Sequence, residues 1–130
     1  MSSTAPKLLL VEDCSNTLDL LSHVLLSRGY TFETAVDGVD AVTKAASYHP
    51  DCAVLNYVMP RMDGLQAAVE IHKILPDCKF VFFTGNYGNP KFHEKLRELG
   101  FSENLAIGKP FLIAEFIQLI ERTGFPPPLP

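Results

Sequence analysis

Short apolar runs alternate along this chain with longer stretches whose apolar positions recur every three or four residues, the pattern of βαβ units around a parallel sheet. Five runs read as strands: Lys7 to Val11, Thr31 to Ala35, Cys52 to Asn56, Lys79 to Thr84 and Leu105 to Gly108. Most carry apolar side chains on both faces, as strands covered by helices on each side do. Helices are predicted for Ser15 to Arg28, Gly38 to Tyr48, Gly64 to Leu75, Pro90 to Leu99 and Leu112 to Arg122. Ser15 is placed to cap the first of these, and Gly29 to end it in a left-handed conformation. His49-Pro50 and Leu75-Pro76 mark the stops of the second and third. Leu18, Leu21 and Leu25 give the inner stripe of the first helix, and Ile113, Phe116, Ile117 and Ile120 that of the last.

A length of 130 residues suits one domain able to bury its own core, and no interior linker or long repeat makes room for another. With 47% hydrophobic and 20% charged residues, the composition is that of a packed globular chain. The net charge of -4, with Lys and Arg scattered along the chain, disfavours direct binding to nucleic acid. Apolar stretches such as Phe80 to Phe83 fall far short of the roughly 20 residues that cross a bilayer, so no membrane span is expected. Cys14, Cys52 and Cys78 lack the close spacing of zinc or redox motifs, and MSSTAPK has no apolar signal core; a cytoplasmic location is the economical expectation. His23, His49, His72 and His93 show no metal-binding spacing. Cys14 lies beside Asp13, and an adjacent carboxylate is expected to raise its thiol pKa and keep it unreactive. The C-terminal FPPPLP reads as a frayed end, although its PxxP arrangement could dock an aromatic groove.

In an open parallel α/β sheet, the loops leaving the carboxyl ends of the strands converge on one crevice. The polar residues of this chain gather at those ends: Glu12-Asp13 after the first strand, Asn56 on the third, Thr84 on the fourth and Lys109 after the fifth. Each alone has a plain reading, as a solvated acidic turn, a strand-end polar group, a strand-end hydroxyl or a surface lysine. Together, in the frames LLLVEDCSN, AVLNYVMPRMDG, VFFTGN and AIGKPF, they resemble the receiver domain of two-component response regulators over residues 7 to 122. The resemblance implies a flavodoxin-like, doubly wound α/β fold with five parallel strands in the order 2-1-3-4-5 and five helices. Residues 1 to 6 and 123 to 130 are then tails. It also implies magnesium binding by Glu12, Asp13 and the backbone carbonyl of Val58, oxygen ligands that suit that hard ion. Thr84 and Lys109 take the places of the residues that contact the phosphoryl group, and the Lys109-Pro110 peptide is often cis in the family.

One position departs from the pattern at its chemical centre. The family's phosphate-accepting aspartate falls on Asn56, and a carboxamide, whose nitrogen lone pair is held in resonance, cannot attack phosphorus as a carboxylate does. The same replacement removes a negative charge from beside Glu12 and Asp13. At ~6 Å and an effective dielectric of ~40, each carboxylate repulsion relieved is worth on the order of 1 kcal/mol. Weaker magnesium binding and a more stable metal-free fold than in an Asn56→Asp protein are therefore expected. A second departure is Ala106, at the switch position where receivers commonly carry an aromatic residue; a methyl group has little to swing toward Thr84.

The function expected is that of a pseudo-receiver in two-component signal transduction. It is not phosphorylated at the usual position, has no catalytic turnover of its own, and acts as a stand-alone module by binding a histidine kinase or another signalling protein. The alternative is a conventional phosphoacceptor receiver carrying an engineered Asp-to-Asn substitution. Either monomer or homodimer is compatible with the sequence, and Tyr87, Phe92 and Phe101 are candidate apolar contacts of the partner surface. A flavin enzyme of the flavodoxin type is disfavoured, because the first loop, EDCSN, is acidic where a flavin phosphate needs a small or hydroxyl-rich cradle.

Overall fold

The computed structural model describes residues 5–129. The chain runs β1 (Lys7–Val11), α1 (Ser15–Ser27), β2 (Thr31–Ala35), α2 (Gly38–Tyr48), β3 (Cys52–Asn56), α3 (Gly64–Ile74), β4 (Lys79–Thr84), α4 (Pro90–Glu98), β5 (Ala106–Gly108) and α5 (Ile113–Glu121). All strand pairings are parallel and the order is β2-β1-β3-β4-β5, so the chain winds outward in both directions from β1 and β3. The predicted 2-1-3-4-5 sheet with five helices is the one observed. The central strands β1, β3 and β4 are almost wholly buried, whereas the edge strand β2 alternates, exposing Thr31 and Glu33.

Helices cover both faces. Leu21 and Leu25 of α1 and Phe116, Ile117, Leu119 and Ile120 of α5 pack on Leu8, Leu10, Val54, Val81 and Phe83. On the opposite face Ala41 and Ala45 of α2, Leu65, Ala68 and Ile71 of α3, and Phe92 and Leu96 of α4 pack on Leu9, Val11, Leu55 and Phe82. Alanines on α2 and α3 let those helices lie close to the sheet, while the phenylalanines fill the wider spaces, as close packing requires. The stripe predicted for α5 needs one correction. Ile113 in its first turn is exposed and Leu119 is buried in its stead, because the sheet contacts a broader face than a single i, i+3, i+4 line.

Element ends shift by a residue or so, for local reasons. Ser15 does not cap α1: it lies inside the helix, and extended Cys14 is the cap residue, its own N–H held by Glu12 Oε2 at 3.1 Å. Leu105 belongs to a 3-10 turn over Glu103–Leu105, capped by the Ser102 side chain, so β5 starts one residue later than predicted. Leu112 precedes α5, and Glu115 reaches back to its N–H at 2.7 Å. Gly29 does adopt the left-handed conformation, at φ 82°, and His49 ends α2 at φ 55° before Pro50. The described part of the tail is not frayed. Phe125 packs against the α1/α5 core and Leu129 covers Gly29; Pro130 and residues 1–4 lie outside the described residues.

The loop between β3 and α3 is seated by two close backbone approaches. A Cβ on Gly64 would lie 2.2 Å from the carbonyl oxygen of Asn56, and one on Gly38 would lie 2.3 Å from that of Met62. Only glycine fits at either place. Arg61, in a left-handed conformation at φ 68°, then ties the loop to α2 through the side chain of Asp37, which also caps that helix. We expect Gly64→Ala to lower the unfolding free energy by roughly 1–3 kcal/mol in urea denaturation. Gly88→Ala, where an added Cβ meets nothing within 4 Å, should stay within about 0.5 kcal/mol of the parent.

Candidate functional site

At the carboxyl edge of the sheet the strand register delivers polar groups from four neighbouring strands to one place. Val11 of β1 pairs with Leu55 of β3, so Glu12 and Asp13 emerge beside Asn56. Asn56 pairs with Phe83 and Thr84 with Gly108, which sets Lys109 on the far side. The backbone N–H of Lys109 donates to Thr84 O at 2.8 Å, prolonging the ladder past β5. The Lys109-Pro110 bond is cis.

Three acceptors converge on one atom. Asn56 Nδ2 lies 3.1 Å from Glu12 Oε2, 3.1 Å from Asp13 Oδ1 and 3.0 Å from the backbone oxygen of Val58. All three neighbours accept hydrogen bonds, and this alone determines which way the amide faces, since the opposite orientation would press its oxygen against three others. Two N–H bonds serve three acceptors, so one is shared. The second carboxylate oxygen of Glu12 accepts from Lys109 Nζ at 3.0 Å, and that ammonium lies 5.2 Å from the centre of the Phe83 ring. Glu12 is only 1% exposed yet is matched on both oxygens by Lys109, Asn56 and the N–H of Cys14. Burial nevertheless pushes its pKa up, against the opposing pull of the Cys14 N–H and Lys109.

Glu12, Asp13, Asn56, Val58 and Lys109 are thus joined in one network. Thr84 is adjacent and fully buried, and its hydroxyl oxygen accepts the N–H of Asn86 at 2.9 Å, shaping the first turn of the loop that follows β4. Ala106 is buried at the start of β5, opposite Phe82. Oxygens of Glu12, Asp13 and Val58 are donors of the type a hard divalent cation takes. The point on which they converge, however, is filled by the Asn56 amide nitrogen. Among the described residues no group of three or more His, Cys, Asp and Glu side chains is arranged to hold a metal.

Three expectations change here. Cys14 is exposed at the head of α1, where the Thr17 hydroxyl and the Thr17 N–H beside its sulfur hold the thiol below its usual range; repulsion from Glu12 is the smaller influence. Neither contact has the geometry of a full capping bond. Cys52 and Cys78 are the inert thiols, burial having pushed the latter up to about 12. Of the aromatic residues expected at a partner surface, Phe92 is buried against Tyr57 with ring centres 4.9 Å apart, and Phe101 packs edge-on against Phe80 and Phe82. Tyr87 alone of the three is exposed.

Sequence reasoning missed how the loop after β4 is anchored. His93 of α4 meets the Tyr87 carbonyl through Nε2 and Glu103 Oε1 through Nδ1, the latter at 2.6 Å, while Arg97 reaches the same Glu103 oxygen at 3.1 Å. Tyr87 lies over Gly108, where a Cβ would come within 2.8 Å of the tyrosine Cβ. Nothing in the spacing of these residues announces contact, because they sit on three separate segments.

The buried carboxylate makes a directional prediction about pH. Because the folded protein raises the Glu12 pKa above its ordinary 4.5, it holds that proton more tightly than the unfolded chain does. The contribution of Glu12 to stability is therefore complete below the unfolded value and is lost as pH rises through the folded one. Lys109→Met should raise the Glu12 pKa further and cost roughly 3 kcal/mol or more at neutral pH, with the deficit shrinking as the solution is acidified. Unfolding free energies measured across the acid-to-neutral range for both proteins check this; a pH-independent deficit would mean that Lys109 acts by packing alone.

Residues 8–121 match the family model of the response regulator receiver domain. The response regulator MprA of Mycobacterium ulcerans (strain Agy99) is 31% identical over 111 residues, covering 85% of this chain and 47% of that protein, and MprA of Mycobacterium sp. (strain KMS) is 29% identical over 122 residues. The chain spans about half the length of these relatives. Among solved structures, the Vibrio cholerae chemotaxis protein CheY4 superposes with a TM-score of 0.82 at 24% identity, over 92% of this chain and 98% of that one, a likeness of fold. The receiver domain of the sensor histidine kinase PA1611 from Pseudomonas aeruginosa PAO1, solved with a magnesium ion in its active site cleft, superposes with a TM-score of 0.77 at 25% identity, over 92% of this chain and 97% of that one. With the family model matched along nearly its whole length and the sheet order and helices in agreement, this chain belongs to the response regulator receiver domain family of two-component signalling.

Proposed function

We propose that this receiver domain is a pseudo-receiver, with Asn56 standing at the phosphoacceptor position, and that it signals by binding a histidine kinase or another signalling protein without being phosphorylated there. The observation that carries this reading is Asn56 itself: it ends β3 within hydrogen-bonding distance of both Glu12 and Asp13, where a nucleophile would have to stand, and it presents a carboxamide. Lys109 and Thr84 are the proposed phosphoryl contacts, and Glu12, Asp13 and Val58 O the proposed magnesium ligands, by analogy with the magnesium-bound receiver of PA1611. If magnesium binds, it would neutralise charge on an incoming phosphoryl oxygen.

The second reading, a conventional phosphoacceptor receiver carrying an Asp-to-Asn substitution, draws support from the condition of the rest of the pocket. The Lys109–Glu12 pair is formed, Thr84 is in the adjoining strand, and the cis peptide follows Lys109. Ala106 favours the pseudo-receiver, since it offers no aromatic side chain to move toward Thr84.

Intact mass after incubation with magnesium and acetyl phosphate separates the two. The protein as it stands should remain unmodified, and a phosphoryl group on it would overturn the premise about Asn56. Uptake by Asn56→Asp alone would identify a working pocket disabled at one group, the second reading. Uptake by neither would favour a module that has dispensed with phosphate.

A further inference from the structure

We infer that the Asn56 amide nitrogen is a built-in stand-in for the divalent cation, holding together the three oxygens that a metal would otherwise gather and making the resting shape of the pocket independent of metal. This rests on the reading of Glu12, Asp13 and Val58 O as the metal's ligands. All three already face a single donor at 3.0–3.1 Å. A magnesium ion needs its oxygens at about 2.0–2.1 Å from a centre of its own, and it loses water reluctantly. To reach these oxygens it must displace Nδ2, breaking hydrogen bonds to two carboxylates and a carbonyl, and the amide must turn to present its oxygen instead. Lys109 already neutralises the other oxygen of Glu12, which leaves the carboxylate pair with one formal negative charge to attract a cation.

Two separate effects therefore weaken metal binding: one carboxylate fewer than in an aspartate-bearing pocket, and occupation of the point of convergence by Nδ2. Charge counting alone treats Asn56 and alanine as equivalent, because both are neutral. Occupation distinguishes them. Each charge-assisted hydrogen bond that magnesium must break opposes its binding, so removing the amide should strengthen magnesium binding by at least about tenfold even though no charge is added.

The test compares magnesium binding by isothermal calorimetry, and thermal unfolding with magnesium or with EDTA, for the protein, Asn56→Ala and Asn56→Asp. The expected result is an unfolding temperature that magnesium leaves unchanged in the parent. Asn56→Ala should be less stable than the parent in EDTA, recover stability with magnesium, and bind the ion at least about tenfold more tightly. Equal or weaker binding by Asn56→Ala, with Asn56→Asp binding well, would overturn the stand-in while leaving the metal-ligand reading in place. Absence of binding by Asn56→Asp would overturn that reading itself. Should Asn56→Ala fail to fold, the parent decides alone: the Asn56 side-chain amide protons, followed by NMR, should exchange slowly and keep their shifts in millimolar magnesium. Fast exchange in metal-free solution would sink the inference.

Discussion

A carboxylate taken almost wholly out of water must be matched by donors on every side, and much of the carboxyl edge of this sheet is organised around doing so for Glu12. Its oxygens receive an ammonium from beyond β5, an amide from the end of β3 and a backbone N–H from the head of α1. Leaving one of these out would strand a buried charge, which costs several kcal/mol, whereas the complete set holds three segments in a single arrangement. The shape of the site is thus a consequence of satisfying one group. Lys109 is 97 residues distant along the chain from the carboxylate it pairs with.

The backbone around this network is held by close contact. Gly64 lies against the Asn56 carbonyl and Gly38 against that of Met62, so the loop carrying Val58 rests on its neighbours with no space for a side chain between. The Arg61–Asp37 pair fastens the same loop to α2, and Arg61 holds the Asp37 carboxyl below the usual carboxylate range. On the other side of the site, Tyr87, His93 and Glu103 bind the loop after β4 to α4 and to the approach to β5. These contacts hold both loops against their neighbours in one arrangement around the site.

Much of this is legible in the sequence alone. The short apolar runs place the strands to within one residue, because the central strands are covered on both faces and leave few polar positions to confuse the pattern. The errors fell at ends and on surfaces. Ser15 has the chemistry of a cap, yet the bond from Cys14 N–H to Glu12 fixes the chain one residue earlier. Phe92 is a candidate contact of the partner surface by its place in the helix after the fourth strand, and only the packing of α4 on the sheet turns it inward against Tyr57. The expectation for Cys14 failed similarly: Asp13 is its neighbour in sequence, but Thr17 is nearer in effect once the helix forms.

The alternation of strands and helices and the identity of the residues at the strand ends followed from the sequence, because periodicity and turn chemistry are local and the crevice of a parallel sheet lies at a known edge, whereas the strand order came with the resemblance to receiver domains. That residue 56 carries a carboxamide is likewise a fact of the sequence. Where its nitrogen points is not. Only the tertiary structure brings Glu12, Asp13 and the Val58 carbonyl around one atom, since that convergence depends on the β1–β3 register and on the glycine contacts that seat the following loop. Hydrogen-bond geometry is sensitive to tenths of an ångström, and no pattern of residue types along a chain carries distances that fine.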